Sequence, residues 1–146
     1  MTMEKLYLLA TVAGQSIAIR AAAVESVVEI ESIAPVPLAA PHVAGLAALR
    51  SKVLTIVCCE RALGFEPQKR AGSKRAIVVE IDGHPYGLLV NTIEEARVID
   101  AEPVPVRARL DRGWARVALG LLDLDGEAIL LVDPARLVEG PAEMAA

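Results

Sequence analysis

Short apolar or alternating segments, rich in valine and isoleucine, run along most of the chain, and turn residues bound them. This pattern is typical of β-strands, because an amphipathic helix would repeat its apolar positions every three or four residues over a longer stretch. The sequence therefore predicts a mainly β fold with short helices. The predicted strands cover residues 6–12, 16–20, 46–50, 53–57, 75–81, 86–90, 92–99, 117–124 and 127–132, with another beginning near residue 27.

Turn residues divide these segments into hairpins and loops. Residues 13–15, Asp82-Gly83 and Asp125-Gly126 predict tight hairpins, and Ser51-Lys52 predicts a further one without the favoured glycine. Three prolines between residues 34 and 42 predict an ordered loop. Short helical segments are expected at residues 20–23, at residues 60–63 and after Asp133, a predicted N-cap.

The second half of the chain repeats the organisation of the first. The sequence Ala-Pro-Val-Pro at residues 34–37 corresponds to Glu-Pro-Val-Pro at residues 102–105, and a predicted hairpin with a short helix follows each. Two small β units, each closing with a helix, fit this order.

Composition and charge narrow the possible functions. The chain has 146 residues, 54% hydrophobic and only 3% aromatic, so its core must be aliphatic. No apolar run reaches the 18 residues of a spanning helix and the N-terminus lacks a secretory pattern, so we expect a cytoplasmic protein without membrane insertion. A net charge of −4 argues against nucleic acid, and the basic cluster Lys69, Arg70, Lys74 and Arg75 is interpreted as a solvated linker.

Candidate catalytic chemistry is sparse. Cys58 and Cys59 end an aliphatic run, so reduced and buried thiols are expected; a redox sensor or enzyme would need an exposed thiol with a depressed pKa. His42 and His84 lack metal-ligand partners at a recognisable spacing. We predict no catalytic residues, no metal site and no cofactor.

Several motifs, taken in order, carry a resemblance to a known family. The hairpin and its following helix contain Gly45-Leu46-Ala47-Ala48-Leu49-Arg50, then residues 53–56, then residues 61–64; related motifs occupy residues 86–93 and 120–126. Together they resemble the CheW-like chemotaxis adaptor domain over nearly the whole chain. The resemblance implies a single domain, residues 1–146, made of two five-stranded SH3-like β-barrels packed together. Residues 15–75 would form the first barrel, and residues 76–146 with the N-terminal strand the second.

The same resemblance implies a non-catalytic adaptor. Such domains connect the cytoplasmic hairpin of methyl-accepting chemoreceptors to the regulatory domain of a CheA-type histidine kinase. The alternative within the same fold is a module that serves another signalling protein.

Five partner-binding residues follow by matching the family's motifs. Arg50 falls on the arginine of the Asn-Leu-Arg-Gly motif, whereas the other four fall on neighbouring or apolar positions: Val24, Gly45, Ile93 and Ala96. The alternatives are an ion pair of Arg50 with Glu60 or Asp123, and ordinary core positions for the aliphatic residues. Departures from the family pattern leave the partners open; they lie at Ser26, Ala48, Ser51, Thr55, Cys58 and Asn91.

Overall fold

A computed structural model of the protein describes residues 5–67 and 74–140, which form ten strands and three α-helices. Half of the strands form a terminal sheet, which uses both ends of the chain. In spatial order it contains β8 (Thr92–Val98), β1 (Leu6–Val12), β2 (Gln15–Arg20), β10 (Glu127–Val132) and β9 (Ala118–Leu124). The other strands form a central sheet: β3 (Val24–Ile30), β6 (Lys74–Ile81), β7 (His84–Leu89), β5 (Lys52–Cys58) and β4 (Val43–Leu49).

The two sheets have the same topology, which explains the repeat in the sequence. Each contains one parallel pair, β2 with β10 and β5 with β7, and its other neighbouring strands pair antiparallel. The predicted mainly β fold of two five-stranded units is confirmed. The strands divide differently from the expected boundaries, however, because β2 belongs to the terminal sheet and β6 and β7 to the central sheet. β5, before the polar stretch near residue 70, and β6, after it, belong to the same sheet. This stretch is therefore not the boundary between the two units.

Each sheet curls until one end strand, β4 or β9, forms a single bridge with the segment that follows the other end strand. In the central sheet, the backbones of Ala34 and Leu46 exchange two hydrogen bonds of 2.8 Å. In the terminal sheet, Val104 and Leu121 make the equivalent pair at 2.9 and 2.8 Å. Among the described residues, β3 does not pair with β4, and β8 does not pair with β9. Both barrels are therefore open over most of one side.

Two strands begin about three residues earlier than predicted, and one turn shifts by a residue. β3 starts at Val24 and β4 at Val43, because tertiary pairing extends each strand into residues whose local preference is ambiguous. In the β4–β5 hairpin Leu49 pairs with Lys52, so the turn residues are Arg50 and Ser51 instead of Ser51 and Lys52. Arg50, with φ of 54°, adopts the left-handed conformation.

Three aliphatic clusters form the core. One fills the inside of the terminal sheet around Tyr7 and Leu131, and a second fills the inside of the central sheet around Leu54 and Ile56. The third and largest lies where the outer faces of the two sheets meet, with Ile77 among its fully buried members. Burial of this interface makes the two units one folded body.

Three short helices lie beside the sheets: α1 (Cys59–Ala62), α2 (Arg112–Val117) and α3 (Pro134–Glu139). Asp133 caps α3 as predicted, because its side chain accepts a hydrogen bond from Ala135 N at 3.0 Å. The pattern of the chain did not predict α2, which contains the buried Trp114. None of the helices within residues 5–67 and 74–140 has the length and apolar character that crossing a membrane requires.

Arginine side chains fasten these helices to one another. Arg116 of α2 donates to the carbonyl oxygens of Arg136, at 2.6 Å, and Ala62, at 3.0 Å. Arg136 of α3 donates in return to Arg116 O at 3.1 Å. Helices of four to six residues are unstable alone and leave their last carbonyls without partners. These contacts therefore hold all three helix ends in place.

Candidate functional site

The tip of the β4–β5 hairpin carries an exposed cation. Arg50 is exposed and, among the described residues, has no hydrogen-bond or ion-pair partner. Neither alternative ion pair forms: Glu60 is buried in α1, beyond the opposite end of β5, and Asp123 lies in the other sheet. The guanidinium is thus available to a partner's carboxylate, for which its planar donors are suited.

The outward side of this hairpin is aliphatic and exposed. Leu46 is opposite Thr55 and Ala48 is opposite Val53, so these four side chains share one side of the strands. Leu46 is 38% exposed and Val53 59%. We call these four residues and Arg50 the hairpin face. An apolar surface of this kind, bordered by a charge, is typical of a protein contact site.

The loop before β4 adds another exposed leucine. Leu38 is fully exposed and has a φ of 64°, a left-handed conformation that is strained for a leucine. Val36, in the same loop, is 39% exposed, and Ala34 bridges directly to Leu46. The loop therefore continues the apolar surface beyond β4.

Gly45 lies beneath the bridge of the central sheet. It is buried and has a φ of 147°, and a Cβ atom there would overlap the Ala34 carbonyl oxygen and lie 2.9 Å from its carbon. Only glycine permits the close approach of β4 to residue 34. The position of Gly45 supports a packing role, although the residue lies one strand position from the exposed Leu46.

Val24 and Ile93 occupy equivalent places in the two sheets. Val24 pairs with Val79 and Ile93 with Ala10, each just before a bulge near the start of an edge strand. Both are half-buried and contact the cluster between the sheets. Ala96, further along β8, is exposed. The structure thus places the predicted residues in two regions. Arg50 belongs to the hairpin face. Val24 and Ile93, together with Ala96 on the edge strand β8, form a second region that we call the sheet junction.

The edge strand β8 continues into a charged segment. Lys5 Nζ lies 3.2 Å from Glu102 and 3.3 Å from Asp100. Hydrogen bonds to Glu102 and Asp100 raise the pKa of Lys5 above its usual value. Because Lys5 is partly exposed and both carboxylates are largely exposed, solvent screening keeps this contribution small.

The two cysteines are buried. Cys58 and Cys59 form no disulfide with each other and are only 8% and 0% exposed, which confirms the expected burial. His42 is also buried, and its Nε2 donates to Val138 O at 2.8 Å, which joins the β4 side of the central sheet to α3. No group of three metal-binding side chains occurs within residues 5–67 and 74–140.

Sequence reasoning missed the exposure of Leu46 and Val53. Both strands of the hairpin are apolar on two sides, a pattern that usually indicates burial on both faces. The sequence therefore showed that the outer side of the hairpin is apolar. It did not show that no neighbouring element covers that side.

Comparisons with known proteins agree with this architecture. A model of the CheW-like domain matches residues 6–142. The fold is also similar to the crystal structure of the scaffolding protein TtCheW from Thermoanaerobacter tengcongensis, with a TM-score of 0.76 and 24% identity over 89% of each chain. No sequence among the curated proteins matches this chain.

Proposed function

The chain belongs to the CheW-like domain family, and from this membership we propose that it is an adaptor coupling chemoreceptor cytoplasmic hairpins to a CheA-type histidine kinase. The TtCheW protein of similar fold is described as a scaffolding protein. Such an adaptor is non-catalytic and works in the cytoplasm, where it contacts two proteins at once.

The hairpin face is the observation that carries the proposal. It combines exposed Leu46 and Val53 with a guanidinium that has no partner among the described residues. A folded regulatory domain can bury the aliphatic side chains and place a carboxylate on Arg50. We assign this face to the kinase.

The sheet junction is the proposed receptor contact. Val24 and Ile93 are half-buried at the meeting line of the two sheets, and Ala96 lies exposed on β8. A receptor hairpin is a pair of amphipathic helices, whose apolar stripe can lie along such a line. Small side chains such as Ala96 allow a helix to approach closely.

Two separate contacts give the adaptor its means of transmission. A change in the receptor alters kinase activity only if the receptor's states interact with the adaptor–kinase assembly with different free energies. The junction and the hairpin face involve different strands of one continuously packed body. Movement of the receptor relative to the adaptor can therefore shift the bound kinase.

Replacing Arg50 tests the kinase contact. We expect Arg50→Ala to weaken binding of the kinase regulatory domain by roughly tenfold or more, since arginine side chains are common centres of binding energy. The measurement is calorimetric titration with the regulatory domain of the source organism. Arg109→Ala, another exposed arginine outside the hairpin face, is the matched control and should bind as the parent does. Equal binding by the Arg50 variant would remove this face from the kinase contact.

A charge placed on β8 tests the receptor contact. We expect Ala96→Glu to lower receptor co-sedimentation at least about fivefold, because a buried carboxylate without a partner is unfavourable at an apolar interface. Kinase binding should stay at the parent value. Leu119→Glu, on an exposed position of β9, controls for added charge. If the parent protein binds neither receptor nor kinase, the chain is a CheW-like module for another signalling protein.

A further inference from the structure

The edge strands β3 and β4 of the central sheet diverge from the bridge between Ala34 and Leu46. Two adjoining grooves fill the gap: about 320 Å³ beside residues 29–32 and 47–49, and about 580 Å³ nearer the hairpin tip. We call the whole gap the edge cleft. Its size lies in the range of sites that hold small ligands or short peptide segments.

The floor of the edge cleft is aliphatic and incompletely covered. Leu54 and Val78 close it from below and are almost fully buried. Val28 and Leu49 line its walls and are only half-buried, although both contact the core inside the central sheet. An occupant with apolar side chains would remove this remaining surface from water.

The walls of the edge cleft have backbone groups without strand partners. Apart from the bridge, β3 pairs only with β6 and β4 only with β5 within the described part of the chain. Unpaired strand edges are templates for the addition of another strand. Two such edges, facing each other over an apolar floor, favour an extended polypeptide over a helix.

The charges along the cleft are ordered. Glu29 and Glu31 lie at the end near the bridge and form no ion pair among the described residues; Arg75, opposite Glu29 on β6, is not bonded to it. Arg50 lies at the other end, whereas the neighbouring Lys52 already pairs with Glu25 at 3.2 Å. An occupant that is basic near the bridge and acidic near the hairpin tip would complement both ends.

We propose that the edge cleft binds an extended segment of a partner polypeptide as an added strand. Alternate apolar side chains of the segment cover Val28 and Leu49, its basic residue lies beside Glu31, and its acidic residue lies beside Arg50. The added strand closes the open side of the central sheet. The inference deepens the proposed function, because Arg50 borders both the edge cleft and the hairpin face.

A short labelled peptide tests the proposal directly. The probe is Lys-Val-Thr-Val-Thr-Val-Glu, whose ends are about 20 Å apart when extended, comparable to the length of the seven-residue strand β3. We expect a Kd of about 1 mM or tighter by fluorescence anisotropy. Amide exchange should slow in β3 and β4.

A peptide with the same side chains, methylated on two backbone nitrogens, is the matched control. Loss of two strand hydrogen bonds should weaken its binding by about tenfold or more. Glu31→Lys, an exposed change expected to leave the unfolding midpoint unaltered, should weaken the parent peptide about fivefold. Exchanging the peptide's lysine for glutamate should restore binding to this variant.

Three results would overturn the proposal: no binding of the parent peptide at about 1 mM, equal binding of the methylated peptide, or no effect of Glu31→Lys. The assay contains neither kinase nor receptor. Its failure therefore leaves the Arg50 result with the kinase intact, and loss of kinase coupling leaves the peptide result intact.

Discussion

Gly45→Ala is expected to lower the free energy of unfolding by about 3–4 kcal/mol. The new methyl group would overlap the Ala34 carbonyl oxygen and approach the Ile33 side chain to 2.7 Å. The backbone, at a φ of 147°, is also unfavourable for alanine. Urea unfolding monitored by circular dichroism measures the difference in the free energy of unfolding.

Gly14→Ala separates steric overlap from backbone strain. Gly14 has a φ of 80°, but no atom lies within 4 Å of the position that a Cβ would occupy. This control should lose only about 1 kcal/mol. Equal losses in the two variants would show that the bridge does not require glycine at position 45. Any partner-binding defect of Gly45→Ala should disappear once binding is corrected for the folded fraction.

Arg116→Ala is expected to destabilise the protein by about 2–3 kcal/mol. The substitution removes the donors to Arg136 O and Ala62 O, at 2.6 and 3.0 Å, and so leaves two helix ends without their side-chain donor. Chemical unfolding again provides the measurement, with the midpoint and the slope compared separately.

Arg116→Lys is the stringent control for that prediction. Lysine keeps the charge but cannot spread its donors over two carbonyls as the planar guanidinium does, so most of the loss should remain. Recovery of parent stability by lysine would show that charge alone matters. A double-mutant cycle with Arg136→Ala should give losses that add to within about 0.5 kcal/mol, because each arginine side chain donates to the other's backbone carbonyl, which substitution by alanine leaves in place.

Local sequence signals predicted most of the fold. Aliphatic runs and Asp-Gly turns located β6, β7, β9 and β10, since both residues of each turn adopt positive φ as such hairpins require. α2 was missed because its six residues carry no repeated apolar pattern, and only tertiary contact buries Trp114. The division of strands between sheets was also missed, since the parallel pairs β5–β7 and β2–β10 join distant segments.

The candidate site was predictable only in part. Motif matching named Arg50, Val24 and Ile93, which the structure places at the hairpin tip and at equivalent positions of β3 and β8. It gave no sign that Gly45 is buried beneath the bridge. The edge cleft could not be predicted, because it depends on where two strands stop pairing. The local sequences of β3 and β4 do not indicate how far the two strands lie from each other.

Because the strands of the two sheets are interleaved along the chain, the two sheets become complete at different stages of synthesis on the ribosome. All five strands of the central sheet lie within residues 24–89, so they can pair before the C-terminal third of the chain exists. β1 and β2 precede these strands in the chain, whereas the strands that complete their sheet, β8, β9 and β10, follow them. The nascent chain must therefore carry an aliphatic hairpin with open edges until these later strands have been made. That hairpin is the segment with which a nascent-chain chaperone would be expected to interact.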